Sequence, residues 1–229
     1  MTIGDMQDLN RATVEYAASI IVPGMTLVRL RELCEEYMLS HGAESFWYWD
    51  VGAFVFAGDK TAVSVSGREY ITDDHIIEPT DIITIDLSPQ NNRIWGDYAR
   101  TLIVEDGRVV RDIDQIQNNE WRDGLKTEAY LHEAMLHFVH ESTTFEELFY
   151  YINDRIKACG YVNLDFLGNL GHSIVRDKRE RIYIEKGNTE KLSAVEAFTF
   201  EPHISLPGSL YGFKKENIYR VRCGVPEEL

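Results

Sequence analysis

The chain has 229 residues, a formal net charge of −15, and 44% hydrophobic and 11% aromatic content. That is enough apolar material to bury one large core or two small ones. No run reaches the roughly 18 consecutive apolar residues of a membrane span, and Met1 to Asn10 is polar and acidic, unlike a secretory leader. The acidity opposes nucleic acid or an anionic membrane as partner. Cys34, Cys159 and Cys223 share no ligand-like spacing and read as reduced thiols of a cytoplasmic protein.

In chain order, Leu9, Thr13, Ala17 and Ile20 recur at helical spacing, predicting an amphipathic helix that ends at Pro23-Gly24. Thr26 caps a second helix with Leu30, Cys34, Tyr37 and Met38 inward and Gly42 as its stop. Aromatic and β-branched residues from Ser45 to Gly67 predict strands with a turn at Gly58-Asp59. Within them, Trp47, Tyr48 and Trp49 could pack in the core or wall a small apolar pocket. After a turn at Glu78-Pro79-Thr80-Asp81, Ile82 to Leu87 and Arg93 to Glu105 read as two antiparallel strands joined through residues 88–92.

A helix is expected from about Ile116 to His140. Thr144 and Glu147 form a capping box opening another that runs to Ala158 and stops at Gly160. Strands close the chain at Arg181 to Ile184, Ala197 to Glu201, Tyr211 to Phe213 and Asn217 to Arg222. No linker-like run divides it, so a single α+β domain over residues 1–229 is expected.

Asp86, Asp97, His172, Glu201 and Glu216 stand out against this pattern. Asp86 lies inside the apolar run Ile83-Thr84-Ile85-Asp86-Leu87, where an unpaired carboxylate is costly. Pairing the two strands of the hairpin would bring Asp97 beside it, with Ile85 and Leu87 facing the other way. His172 follows Leu170-Gly171, Glu201 lies between Phe200 and Pro202, and Glu216 opens Glu216-Asn217-Ile218. Taken singly, the aspartates could cap a hairpin, His172 could be a hydrogen-bonded core histidine, and Glu216 could pair with Lys214 or Lys215 at the surface. Together, four carboxylates and an imidazole suit two divalent ions such as Mn, Co, Fe or Zn. Two such ions about 3.5–4 Å apart can bridge a water, lower its pKa and turn it on a carbonyl.

At these residues the chain resembles the family of methionine aminopeptidases, Xaa-Pro peptidases and creatinases, the pita-bread fold. The resemblance spans nearly the whole chain, including the helical start and its Pro23-Gly24-Met25-Thr26 turn. It implies repeated helix pairs, related by a pseudo-twofold axis, packed on a curved antiparallel sheet. Asp86 and Asp97 would grip one ion and His172 and Glu201 the other. Asp97 and Glu216 would bridge both, and Glu201 would also exchange a proton with the bridging water. Asp97-x-x-Arg100-Thr101 resembles the Xaa-Pro branch, with Arg100 as a charge steering a ligand carboxylate or as a plain salt bridge. The resemblance further implies a homodimer acting on a small peptide or peptide-like substrate. The N-terminal domain of longer Xaa-Pro peptidases is not expected here.

Peptidases of this family carry two more histidines near the metals, one upstream of the first aspartate and one shortly after the metal-binding histidine. Here Val65 to Ile71 and Ser173 to Arg179 contain none, and Arg179 falls near the second place. The candidates to take over substrate contacts are Arg68, Arg179 and His203, with Arg179 and His203 also candidates at the catalytic step. An arginine could hold an oxyanion or a substrate carboxylate but cannot act as a general acid at neutral pH. His203 would project to the side of Glu201 if one strand held both. His75 is expected in a loop beside Asp73 and Asp74. Alternative readings are a non-peptidase on this scaffold, acting on another small C–N-type bond, and a binding protein that has lost turnover.

Overall fold

In the computed structural model, which describes residues 1–229, each half of the chain opens with a helix pair and continues into an antiparallel sheet. Helices α1 (Ile3–Ile20) and α2 (Leu27–Ser40) precede β1 (Ser45–Phe46), β2 (Ala53–Ala57), β3 (Asp81–Leu87), β4 (Pro89–Asn91), β5 (Ile94–Trp95), β6 (Tyr98–Glu105) and β7 (Arg108–Val109). Helices α3 (Asn119–Phe138) and α4 (Phe145–Ala158) precede β8 (Val162–Asn163), β9 (Ser173–Ile174), β10 (Ala197–Phe200), β11 (His203–Ser205), β12 (Phe213–Lys214), β13 (Asn217–Arg222) and β14 (Val225–Glu228). The principal sheets run β2-β3-β6-β7 and β14-β13-β10-β9, with smaller ones β1-β4-β5 and β12-β11-β8. An antiparallel bridge from Arg100 to Lys215, and a 3.0 Å bond from the Glu216 amide to the Ala99 carbonyl, join the two halves at β6. The expected α+β architecture, with two helix pairs repeated on antiparallel sheet, is the one observed.

Local signals set the helix ends. Thr2 and Asp5 form a reciprocal cap on α1, Thr26 caps α2 through the Arg29 amide, and Thr144 and Glu147 form the capping box of α4. Each helix turns an apolar stripe inward. Leu27, Leu30, Cys34 and Met38 of α2 join a first core cluster with β2, β3 and β6. Phe145, Leu148, Ile152 and Ile156 of α4 join a second with Phe198, Phe200 and Phe213. Each such side chain removed from water contributes on the order of 1.5–3 kcal/mol. All three cysteines are free, Cys34 buried and the other two exposed.

Four expected elements differ. Of Ser45 to Gly67 only β1 and β2 are strands; residues 47–50 turn, with Trp49 and Asp50 both at φ +57°, and Gly58–Ala62 is a 3-10 helix. Arg93 to Glu105 is not one strand. The link from β3 to β6 carries its own small hairpin, β4-β5, and Asp97 lies between β5 and β6. Arg181 to Ile184 forms no strand, because its one bridge, Tyr183 to His172, meets the end of β9. The expected strand Tyr211 to Phe213 starts later, at Phe213, as β12. For Arg181 to Ile184, β9 is only two residues long, so the run finds too little backbone to pair.

Candidate metal centre and pocket

Of the five proposed ligands, only Asp86 sits inside a strand. Asp97 immediately precedes β6, His172 precedes β9, Glu201 follows β10 and Glu216 precedes β13. Strand ends suit the task, since the ladder fixes the neighbouring backbone while the terminal residue is free to turn inward. On β3, Ile85 and Leu87 are fully buried opposite Asp86, which pairs across to Ala99, two residues past Asp97. His172 lies beside Thr199, whose amide donates to the His172 carbonyl at 2.7 Å and whose hydroxyl accepts from the His172 amide at 3.0 Å. Gly171 makes this approach possible: its φ is +133°, and a β-carbon there would meet the Thr199 carbonyl at 2.3 Å. Pro202, lacking an N–H, follows Glu201 where β10 ends.

The side chains converge. Carboxylate oxygens of Asp86, Asp97 and Glu216 lie within 4.8 Å of one another. The His172 Nε2 is 3.4 Å from Asp97 and 3.8 Å from Glu201. Its Nδ1 faces the Ser173 carbonyl at 3.2 Å, so a proton there leaves the Nε2 lone pair turned toward the carboxylates. Burial pushes Asp97 up to about 6 and raises Asp86 and Glu216 above the ordinary carboxylate range, Glu216 the more strongly. Burial presses Glu201 the same way, but the charge and hydrogen bond of Lys214, with the Thr199 hydroxyl, help hold its carboxyl below the usual value. The set fits divalent ions on its own geometry: Glu216 is wholly buried, and neither of its carboxylate oxygens has a hydrogen-bond partner.

Sequence reasoning missed Lys214 as part of this centre. From the end of β12 its ammonium reaches Asp86 at 2.6 Å, Glu201 at 3.0 Å and Glu216 at 3.6 Å. Burial alone would lower its pKa; the three carboxylates more than reverse that. Two lysines beside Glu216 in sequence suggest a surface pair, and only the strand direction separates Lys214, turned to the carboxylates, from Lys215, turned toward α3.

Above the carboxylates opens a cavity of about 300 Å³, lined among others by Trp47, Tyr48, Asp165, Arg181, Tyr183 and His203. The Arg181 guanidinium stands 4.9 Å from the Trp47 ring centre, 5.7 Å from Tyr183 and 6.0 Å from Tyr48. Only its Nε is engaged, with the Lys178 carbonyl at 2.9 Å, so its terminal nitrogens point to no protein partner. Burial and the neighbouring Glu201 charge push Asp165 up to about 6.

Arg179 and Arg68, expected at the substrate, are not brought there. Arg179 is 85% exposed and turned back on Asp177, two residues earlier, at 2.5 Å. Arg68 is exposed, 5.6 Å from the ring of Trp49, which is itself outside the pocket. Simple alternation would put Arg179, Arg181 and Tyr183 on one side; the 3-10 turn Lys178–Glu180 interrupts it, so Arg181 and Tyr183 line the cavity while Arg179 stays outside on Asp177. His203 does line the pocket, though not on one strand with Glu201, because the chain breaks at Pro202 between β10 and β11. Its Nε2 lies 2.7 Å from the Thr61 carbonyl and its Nδ1 3.1 Å from the Ser64 hydroxyl; burial lowers its pKa to about 4. His75 is paired with Asp81 at 2.7 Å, away from the cavity. Arg100 grips the Glu216 and Ala99 carbonyls and the Asn217 side chain, so it fixes the backbone of a proposed ligand, not its carboxylate.

Residues 3–222 match metallopeptidase family M24. The chain belongs to that family. No curated protein sequence matches this M24 chain. Among solved structures, it superposes on an X-Pro aminopeptidase from Thermotoga maritima with a TM-score of 0.81 at 21% identity, covering 99% of this chain and 59% of that one. A prolidase from Pyrococcus furiosus gives 0.81 at 21% identity, with coverages of 99% and 61%. An Xaa-Pro dipeptidase from Bacillus anthracis gives 0.81 at 20%, with 99% and 58%. The M24 chain thus has their fold and spans about three-fifths of their length. No helix is long and apolar enough to cross a membrane.

Proposed function

We propose that this M24 chain is a divalent-metal-dependent hydrolase of the Xaa-Pro peptidase type, cleaving an amide bond in a short peptide or peptide-like substrate that carries an anionic group. The observation that carries this reading is the meeting of Asp86, Asp97, His172 and Glu201 at the floor of a cavity whose wall presents Arg181, with Glu216 buried against Asp86 and Asp97. Asp86, Asp97, His172, Glu201 and Glu216 would hold the metal, two ions in the reading the family supports. When bound, divalent ions there would acidify a water and polarise the scissile carbonyl. Glu201, ionised because Lys214 holds its pKa down, accepts the proton of the attacking water and returns it to the departing amine. Arg181, held on an aromatic face, takes a substrate carboxylate through its free nitrogens. His203 is neutral at pH 7 and shapes the wall between Thr61 and Ser64. The resemblance to this family also supports a cytoplasmic homodimer.

A second reading stays on the same scaffold: hydrolysis of a small C–N-type bond outside peptides. The wall favours it, since Val65 and Arg181 line the cavity and neither segment where the family has a histidine supplies one. Purified protein, stripped and reloaded with Mn, Co, Fe or Zn, should be offered Xaa-Pro dipeptides, other dipeptides and small non-peptide amides. Turnover of Xaa-Pro dipeptides establishes the first reading. Inert peptides beside a hydrolysed amide establish the second, and no hydrolysis of any member leaves a binding role.

A further inference from the structure

Four buried carboxylates meeting at one point repel each other, and a chain must fold with them before it can bind any ion between them. Here the sequence supplies a cation of its own. The Lys214 ammonium lies within ion-pair distance of three of the five proposed ligands: Asp86, Glu201 and Glu216. It is fixed from behind, because the Lys214 amide donates to the Thr101 hydroxyl at 2.9 Å, and Thr101 in turn meets Thr84 at 2.9 Å on β3. The stem is therefore anchored to the sheet that carries Asp86, and the ammonium is delivered to the centre by the fold, not by surface chance.

We propose that Lys214 is a built-in counter-ion that competes with metal, stabilising the centre before loading and weakening the binding of a second divalent ion. This rests on the metal-centre reading above. The charges make the case. Fully ionised, four carboxylates with one ammonium carry three negative charges. One divalent ion leaves one negative charge, whereas two overshoot to one positive. Coordination adds to it: a metal held at about 2.0–2.2 Å by these oxygens would stand beside an ammonium already 2.6 Å from Asp86. The two cations then repel across a short, poorly screened distance. The first ion is expected at the side away from Lys214, where His172 and Asp97 stand 3.4 Å apart and neither touches the lysine.

The test compares the full chain with Lys214→Met, which keeps the length and removes the charge, and with Lys214→Arg, which keeps the charge. Each protein is stripped with chelator and titrated with Mn²⁺ by calorimetry, and each is melted with and without Mn²⁺. The parent should bind one ion tightly and the second at least tenfold more weakly. Lys214→Met should bind the second ion on the order of tenfold or more tightly than the parent. It should melt below the parent when stripped and regain most of that loss in saturating Mn²⁺. Lys214→Arg should follow the parent in both. Should Lys214→Met fail to fold unless Mn²⁺ is present, the proposal is supported, and its metal retention is then compared by dialysis against graded chelator. Equal stoichiometry, affinity and stripped melting temperature in parent and Lys214→Met would overturn the proposal while leaving the metal centre intact. No Mn²⁺ uptake by either protein would instead bring down the metal-centre reading, and this proposal with it.

Discussion

The floor and the wall of the cavity are built differently. At the floor, Asp86 and Asp97 from the first half meet His172, Glu201 and Glu216 from the second, each fixed by a strand or a strand end. Much of the wall, including Trp47, Tyr48, Arg181 and Tyr183, comes from turns and irregular segments, beside Phe54 and Phe56 of β2 and His203 of β11. Rigid ladders hold ligand atoms to a few tenths of an ångström, which metal chemistry needs. Loops tolerate exchange of side chains, so that is where the groups contacting substrate can change while the centre stays. Of the two segments without the family's histidines, Val65 lines the wall, and so does the arginine proposed to take up the substrate's charge.

Breaking the floor should have the largest effect. Asp97→Ala or Glu216→Ala should release bound metal and abolish turnover, read by elemental analysis and by assay on the same samples. Full metal content in both variants would place the ions elsewhere. Glu201→Gln comes next: with the fold kept by circular dichroism, turnover should fall by roughly 10²–10⁴-fold, because the amide cannot accept the water's proton.

Changing the wall should cost less and leave metal untouched. Arg181→Ala should lower kcat/KM on an anionic substrate by about tens- to thousands-fold, on the order of 2–5 kcal/mol in transition-state binding. A neutral analogue should be nearly indifferent to the same change, and equal losses on both substrates would mean Arg181 only packs. Because the wall lacks the family's histidines, peptides with a free N-terminal methionine followed by a small residue should be cut slowly or not at all. Rapid methionine release would show that those histidines are dispensable.

The smallest effect is on stability against pH. His203 is held near 4, below its value in the unfolded chain of about 6.5. Between those values the unfolded state binds the extra proton, so stability is fully present above about pH 6.5 and is lost as pH falls toward 4. The shift corresponds to about 3 kcal/mol at most. His203→Gln should flatten the decline in thermal stability between pH 7 and 4, and a curve parallel to the parent's would show that other groups set it. Buried His132, whose pKa burial also lowers well below the usual value, adds to the parent slope and remains in the variant.

Much of the fold was readable because its signals are local. Thr26, the Thr144–Glu147 box and the Pro23-Gly24 stop are set by hydrogen bonds within a few residues, and the helices begin and end near where those residues put them. The five proposed ligands stood out for a related reason: an acid such as Asp86 in an apolar strand costs too much to be idle. What failed were the features decided by direction. Arg179 and Arg181 are two residues apart and chemically alike, yet one pairs with Asp177 in solvent and the other faces the cavity. Lys214 and Lys215 are adjacent, yet only one enters the carboxylates.

The sequence by itself thus marked out the helix pairs, the apolar strands and the five proposed ligands, since period, caps and the cost of burying charge act over short spans. Tertiary structure alone decided that the acids from two halves meet, that Lys214 stands among them, and that Arg181, not Arg68 or Arg179, faces the cavity. Those outcomes depend on strand register and on which way a loop residue points, and a one-residue offset reverses a side chain without altering composition.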